Sequence, residues 1–369
     1  MEEGELLEAL RTVQDPELRR SIVELGMVRD LIDDEDRVGA TIVLTTAGCP
    51  MRDRIRAEAE QAVSAVARGR AVEVTLGAMT ETERGALAGR LHERKQFVHT
   101  LFGPGSDTRT VTVASGKGGV GKSTVTANLA VALAQQGHAV AVIDADIYGP
   151  TIPLMLGLAP VAPATHDGRL LPPEAHGVKA VSMGFFLPDN QPVVWRGPML
   201  ARAIGQFLGD TLWGSPDFLL IDLPPGTGDV ALTVAKMLPH AAMVIVTTPQ
   251  EAAARSAIKA AKMARMTEQH LLGVIENMAF YVCPDCGSRH SIFGRGGGFE
   301  IARLMDTRLL GQIPLDEATR QAGDAGAPIA LDVSSPVGAA FSEIARTVAE
   351  TVLAAPEPRR HDSPQNAAD

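Results

Sequence analysis

Short apolar runs along this chain alternate with stretches of helical spacing from Thr110 onward. The runs Thr110–Ala114, Ala139–Asp144, Phe218–Asp222, Ala242–Thr247, Gly273–Glu276 and Leu309–Ile313 lack a polar face, the pattern of strands covered on both sides. Between and after them, Ser123–Gln136, Val230–Met237, Ala252–Met266, Phe299–Met305 and Val337–Leu353 carry apolar residues at helical spacing. Alternation of this kind predicts an α/β fold, a doubly wound and mostly parallel sheet, over residues 109–355.

The first part of the chain has a different texture. Residues 1–78 predict a small α/β unit: a helix over Glu5–Val13, a strand over Val38–Leu44, a helix over Met51–Ala67 and a strand over Ala71–Leu76. Residues 79–108 are rich in charge and close on Phe102-Gly103-Pro104-Gly105-Ser106-Asp107, which predicts a charged helix followed by a linker. Residues 356–369 are too polar and proline-rich to build a core and are expected to be disordered.

Chemistry enters at Gly116-Lys117-Gly118-Gly119-Val120-Gly121-Lys122-Ser123, which fits G-x-x-x-x-G-K-[ST] between a predicted strand and a predicted helix. Glycines let backbone N–H groups converge on an anion, and the helix N-terminus adds its dipole. Lys122 is expected to reach the β- and γ-phosphates of ATP, and the Ser123 hydroxyl to ligate Mg²⁺. Two further strands end in carboxylates. Val140–Asp144 runs into Asp146, and Leu219–Asp222 runs into Leu223-Pro224-Pro225-Gly226. Asp222 is the candidate for holding Mg²⁺ through water, and the Gly226 N–H is expected to be free to meet a γ-phosphate.

The three cysteines form no disulfide framework. Cys283-Pro284-Asp285-Cys286-Gly287 places two thiolates at metal-binding spacing, suited to a zinc knuckle or an iron–sulfur centre. His290 is a possible third zinc ligand. Cys49, between a predicted strand and helix, is a candidate accessory thiol, because a helix N-terminus lowers a thiol pKa. A four-iron cluster takes four thiolates, so two copies of the chain, each lending Cys283 and Cys286, would complete one.

Net charge is −10 and the pI about 5.4, which argues against general nucleic-acid binding. No apolar run approaches the roughly 18 residues of a membrane span. The acidic start, Met1-Glu2-Glu3-Gly4-Glu5, is unlike a signal peptide, so a cytoplasmic location is expected.

The glycine-loop sequence, with lysine at 117, resembles the deviant P-loop subclass that includes the nitrogenase iron protein, MinD, ParA and arsenite-pump ATPases. Further motifs follow in order: Asp144-Ala145-Asp146-Ile147-Tyr148-Gly149-Pro150, Trp195-Arg196-Gly197-Pro198-Met199, Asp222–Asp229, Thr247-Thr248-Pro249-Gln250, Ile275-Glu276-Asn277-Met278 and Cys283–Cys286. Over residues 95–354 the set resembles the Mrp/ApbC family of iron–sulfur cluster carrier ATPases. Thr151 stands where that family often has serine. Residues 1–78 resemble the iron–sulfur-assembly domain of SufT and PaaD type, through Asp15-Pro16-Glu17, Ile22–Val28 and Thr45–Pro50.

The resemblance implies a homodimer in which Lys117 reaches the partner's nucleotide, Asp146 orients the attacking water and Asn277 reads adenine, with Pro314 beside the base. It further implies slow ATP hydrolysis that gates a labile [4Fe-4S] cluster, received from donor or scaffold proteins and passed to apo iron–sulfur proteins. Two alternatives remain open: a MinD- or ParA-like positioning ATPase, which would need a membrane or nucleic-acid surface, and a zinc-stabilised ATPase using Cys283, Cys286 and His290.

Overall fold

The computed structural model describes residues 3–15, 20–34, 36–45, 51–147, 149–186 and 197–354. Cys49, Tyr148, Trp195, Arg196 and the tail 356–369 lie outside these. The chain divides into two compact units, Met1–Gln96 and Phe97–Asp369.

In the first unit, helix α1 (Glu3–Arg11) precedes strands β1 (Val28–Asp33) and β2 (Arg37–Leu44), helix α2 (Arg52–Val66) and strand β3 (Ala71–Ala78). β2 lies centrally, antiparallel to β1 and parallel to β3. Its Val38, Ala40 and Ile42 join Leu6, Ile55 and Val63 in one core. β1 was not predicted. Its sequence, Val-Arg-Asp-Leu-Ile-Asp, has no clean alternation, and the ladder shifts register between Arg29 and Ile32, beside Asp30 at φ +43°. Pairing with β2, not its own pattern, makes it a strand. The charged stretch is one helix, α3 (Glu81–Phe102), and the division between units falls within it.

The second unit is built on a sheet of eight strands. In chain order the long elements are β4 (Arg109–Ser115), α4 (Lys122–Gln135), β5 (Val140–Asp144), β6 (Val178–Ser182), α5 (Gly197–Gly209), β7 (Phe218–Asp222), α6 (Asp229–Met237), β8 (Ala242–Thr247), α7 (Glu251–Met266) and β9 (Leu271–Glu276). A small hairpin follows, β10 (Tyr281–Val282) with β11 (Arg289–His290). Then come α8 (Gly297–Leu304), β12 (Arg308–Gln312), α9 (Glu317–Asp324) and α10 (Pro336–Ala354). The spatial order is β6-β5-β7-β4-β8-β9-β12, all parallel, with Glu174–Ala175 added antiparallel beyond β6.

Alternation along the central strands sorts side chains between two faces. Val111, Val113, Val142, Leu220 and Val244 meet α4 and α10, whereas Ala141, Ile143, Ile221 and Ile245 meet the α5–α8 side. Because both faces are covered, the strands read as unbroken apolar runs. α4 is buried over ten of its fourteen residues, which explains why its sequence has no polar stripe. β6, α5 and α9 escaped prediction. β6 is a five-residue strand downstream of a Gly/Pro-rich stretch, α5 opens on Gly197-Pro198, and α9 buries no side chain at all. Among the described residues, no helix is long and apolar enough to cross a membrane.

Candidate functional site

Parallel strands bring their C-terminal ends to one edge, where ligands bind in such sheets. β4 delivers the glycine loop there, its neighbour β7 delivers Asp222, and β5, on the far side of β7, delivers Asp144, paired directly with Asp222 across the ladder. Gly119 and Gly121 each have φ +80°, a backbone that side chains resist. Gly116 is needed for another reason: a Cβ there would lie 2.1 Å from the backbone of Ser256 at α7.

Asp222 is fully buried and accepts from three side chains. Lys122 Nζ, Ser123 Oγ and Thr126 Oγ1 each donate over 2.6 Å. Lys122 also lies 3.6 Å from Asp146. A buried carboxylate survives only with such partners. Asp144, also buried, accepts from the amides of Asp146, Thr151 and Ile152 and from Ser182 Oγ, at 3.0–3.2 Å. Burial, and then the charge of Asp222, push its pKa up to about 7. Asp146 is likewise raised, chiefly by burial, against the pull of Lys122. Lys122, Ser123, Asp146 and Asp222 are therefore brought together in one place. Ser123 Oγ and Asp222 Oδ2 are hard oxygen donors, a pair that fits Mg²⁺.

Other expectations meet a different geometry. The Gly226 amide is not free in this structure: it donates to Ser115 O over 2.8 Å, with Gly226 at φ +89°. Asn277, 7% exposed, turns its carboxamide onto the glycine loop. Its Nδ2 donates to Val120 O over 2.9 Å, and its Oδ1 accepts from Met278 N. Backbone bonds link the segments around Asn277 and Pro314, with Ala279 N donating to Ile313 O and Leu315 N to Phe280 O. Lys117 Nζ donates to Gln250 Oε1 within its own chain over 3.3 Å.

The cysteine pair sits in the turn of the β10–β11 hairpin. Cys283 N donates to Ser288 O and Gly287 N to Cys283 O, each over 2.9 Å, with Gly287 at φ +69°. Cys286 is exposed and Cys283 partly so, and both are free thiols. Cys286 Sγ lies 3.2 Å from Ser288 Oγ, and that hydrogen bond, helped by the Ser288 backbone and Cys283, lowers its pKa. His290 does not complete a site. It pairs with Tyr281 across the hairpin, and among the described residues no three His, Cys, Asp or Glu side chains are grouped to hold a metal ion. A third zinc ligand from His290 is thus not assembled.

The sequence reading missed Thr126, Ser182 and Ser288, and quoted Gln250 only as part of a motif. Thr126 stands four residues after Lys122 and one turn along the same helix, a spacing that would have flagged it. Ser182 carried no such signal, since it reaches Asp144 only through the pairing of β6 with β5. Glu276 was quoted only as part of a motif. It is 1% exposed and accepts from Gly298 N and Gln312 Nε2, tying α8 and β12 to the end of β9.

Residues 107–349 match the family model described as NUBPL iron-transfer P-loop NTPase, and residues 3–76 match that of an iron–sulfur cluster assembly protein. The chain is 48% identical over 346 residues to an iron–sulfur cluster carrier protein of Mycobacterium leprae, covering 91% of this chain and 90% of that one. With the iron–sulfur cluster carrier protein of Bacillus subtilis, identity is 39% over 348 residues, 94% of this chain and 97% of the other. Among solved structures, a nucleotide-binding protein of Archaeoglobus fulgidus in complex with ADP superposes with a TM-score of 0.57 at 39% identity, over 66% of this chain and 94% of its own. The cell-division ATPase MinD of Pyrococcus furiosus shares the fold, at 24% identity and a TM-score of 0.51 over 66% of this chain and 98% of its own.

Proposed function

Since this chain belongs to the NUBPL-type, iron–sulfur cluster carrier family of P-loop NTPases, we propose that it hydrolyses ATP slowly to gate a [4Fe-4S] cluster shared by two copies and passed to apo-proteins. The observation that carries this reading is the turn Cys283–Cys286, two accessible thiols with one pKa lowered, in the same compact unit as a complete glycine loop. One chain supplies two sulfurs there, and a four-iron cluster usually takes four thiolates. Two copies about a two-fold axis meet that requirement.

In the nucleotide site, Lys122 and the loop amides bind the β- and γ-phosphates, and Ser123, with Asp222 through water, would hold Mg²⁺. That ion would supply charge neutralisation between the phosphates. Lys122 leaves Asp222 for the phosphates as they enter. Asp146, held beside Lys122 by the Asp144 network, orients the attacking water. Lys117 of each copy exchanges Gln250 for the other copy's nucleotide. Cluster donors and apo iron–sulfur proteins are its partners on this reading, and the cytoplasm its location.

The test is anaerobic reconstitution with iron and sulfide, followed by visible absorption, metal analysis and sedimentation. We expect about four irons and four sulfides per two chains. Cys283→Ser and Cys286→Ser should each lose the absorption band while keeping ATP affinity. A cluster retained by both variants, or one complete cluster on a sedimenting monomer, overturns the reading.

A further inference from the structure

The glycine loop and the cysteine hairpin are joined by a short, taut path. Its first link is the hydrogen bond from Asn277 Nδ2 to the Val120 carbonyl, inside the glycine loop, at 2.9 Å. The fit is close enough that a Cβ on Gly121 would stand 2.2 Å from that same Nδ2. Glycine at 121 therefore serves two ends: it adopts φ +80°, and it makes room for the carboxamide. The other end of the carboxamide is occupied too, since Oδ1 accepts from Met278 N at 3.0 Å.

From Asn277 the chain has little slack. Asn277 N is anchored on Thr247 O, at the end of β8, over 2.8 Å. Met278 turns through φ +53°, costly for a methionine and maintained by its surroundings. Ala279 N then donates to Ile313 O, Leu315 N donates to Phe280 O, and Tyr281 bridges to Leu315. Two residues on is Cys283, whose amide and carbonyl close the hairpin turn. Six residues reach about 20 Å at most, and this segment is bonded on both sides along the way. A shift of the Val120 peptide is passed on as a shift of the hairpin base rather than absorbed by loose chain.

The geometry points to Asn277 as a positioning residue that couples occupancy of the glycine loop to the exposure of Cys283 and Cys286, a role distinct from reading adenine. Loop amides that turn to grip phosphates move the Val120 carbonyl, and the carboxamide follows it. The inference rests on the proposal that the cysteine pair is the working end of the molecule, but not on the cluster being present.

It is therefore tested on the metal-free full-length chain. The rates at which Cys283 and Cys286 react with a maleimide are measured, site by site by mass spectrometry, without nucleotide and with saturating ADP or ATP–Mg²⁺. Saturation is set by titration with a fluorescent ATP analogue. In the unaltered chain, nucleotide should change the rates about fivefold or more, the lower range of coupling between sites. In Asn277→Ala the response should vanish although nucleotide still binds. Asn277→Asp keeps the shape but sets a carboxylate against the Val120 carbonyl, and it should behave alike if the alanine variant does not fold. Rates indifferent to nucleotide in the unaltered chain overturn the inference. So do variants that respond as it does, including one that merely stops distinguishing ATP from GTP. Failure of the cluster reading would appear separately, as reconstitution without iron uptake alongside an intact nucleotide response.

Discussion

Thr126 illustrates how a single hydroxyl supports the nucleotide site. It is fully buried, and its Oγ1 lies 2.6 Å from Asp222 and 3.0 Å from Lys122 O. Thr126→Ala should cost about 1–3 kcal/mol in chemical denaturation of the nucleotide-free protein, because it removes a donor to a buried charge. Thr126→Ser, which keeps the hydroxyl, should recover most of that. Unchanged stability in the alanine variant would show that Asp222 needs only Lys122 and Ser123. Asp144 makes a pH-dependent prediction. Its pKa rises from 3.8 to about 7 on folding, so between these values the folded chain holds a proton that the unfolded chain does not. The resulting stabilisation is complete below about pH 4 and is lost as pH rises through about 7. The stability difference between the unaltered chain and Asp144→Asn should therefore shrink over that window. A difference that stays flat from pH 4 to 7 would mean that Asp144 is already ionised when buried. Lys122, Ser123 and Asp222 were legible because their chemistry recurs at fixed spacing. Thr126 could have been read from its place one turn after Lys122; Ser182 could not, because its partner Asp144 lies 38 residues away and meets it only across paired strands.

At the scale of elements, the contact between the glycine loop and α7 leaves no room for a side chain. Gly116→Ala would place a Cβ 2.1 Å from Ser256 C and 2.2 Å from Ala257 N, atoms that cannot move without shifting the helix. Destabilisation of about 1–3 kcal/mol is expected, as for other overpacked interiors. Gly118→Ala is the control, since nothing lies within 4 Å of its Cβ position. Equal thermal midpoints for the two variants, both nucleotide-free, would refute the packing role of Gly116. The central strands were readable because burial on both faces leaves an unbroken apolar run. β1, β6 and α9 were not. β1 and β6 owe their extended form to a neighbour's ladder, and α9 stands on its Asp316 cap, which accepts from Thr319 N, with no buried face to mark it.

At the scale of the whole molecule, the proposed dimer ties hydrolysis to concentration. If Lys117 acts on the other copy's nucleotide, ATP turnover per chain should fall on dilution below the dimer dissociation constant. Lys117→Ala should be slow at every concentration. Turnover per chain that is independent of dilution, or rapid hydrolysis by the lysine variant, would place the whole active site within one copy. Within its own chain Lys117 is held by Gln250, so engaging a second nucleotide requires that bond to be exchanged.

Local chemistry was decided by the order of residues alone: a glycine loop ending in Lys122-Ser123, carboxylates closing apolar strands, and two thiols three positions apart. These follow from short-range geometry, where a few φ angles and a fixed spacing suffice. Which groups then meet depended on the packed sheet. Only the pairing of β5, β7 and β4 sets Asp144 beside Asp222 and both beside Lys122. Only the approach of β9's end to the glycine loop turns Asn277 onto Val120, and only the pairing of β7 with β4 closes the Gly226 amide onto Ser115. Contacts between residues so distant in the chain are made by tertiary packing, because a buried donor or acceptor takes whichever partner the fold brings within reach.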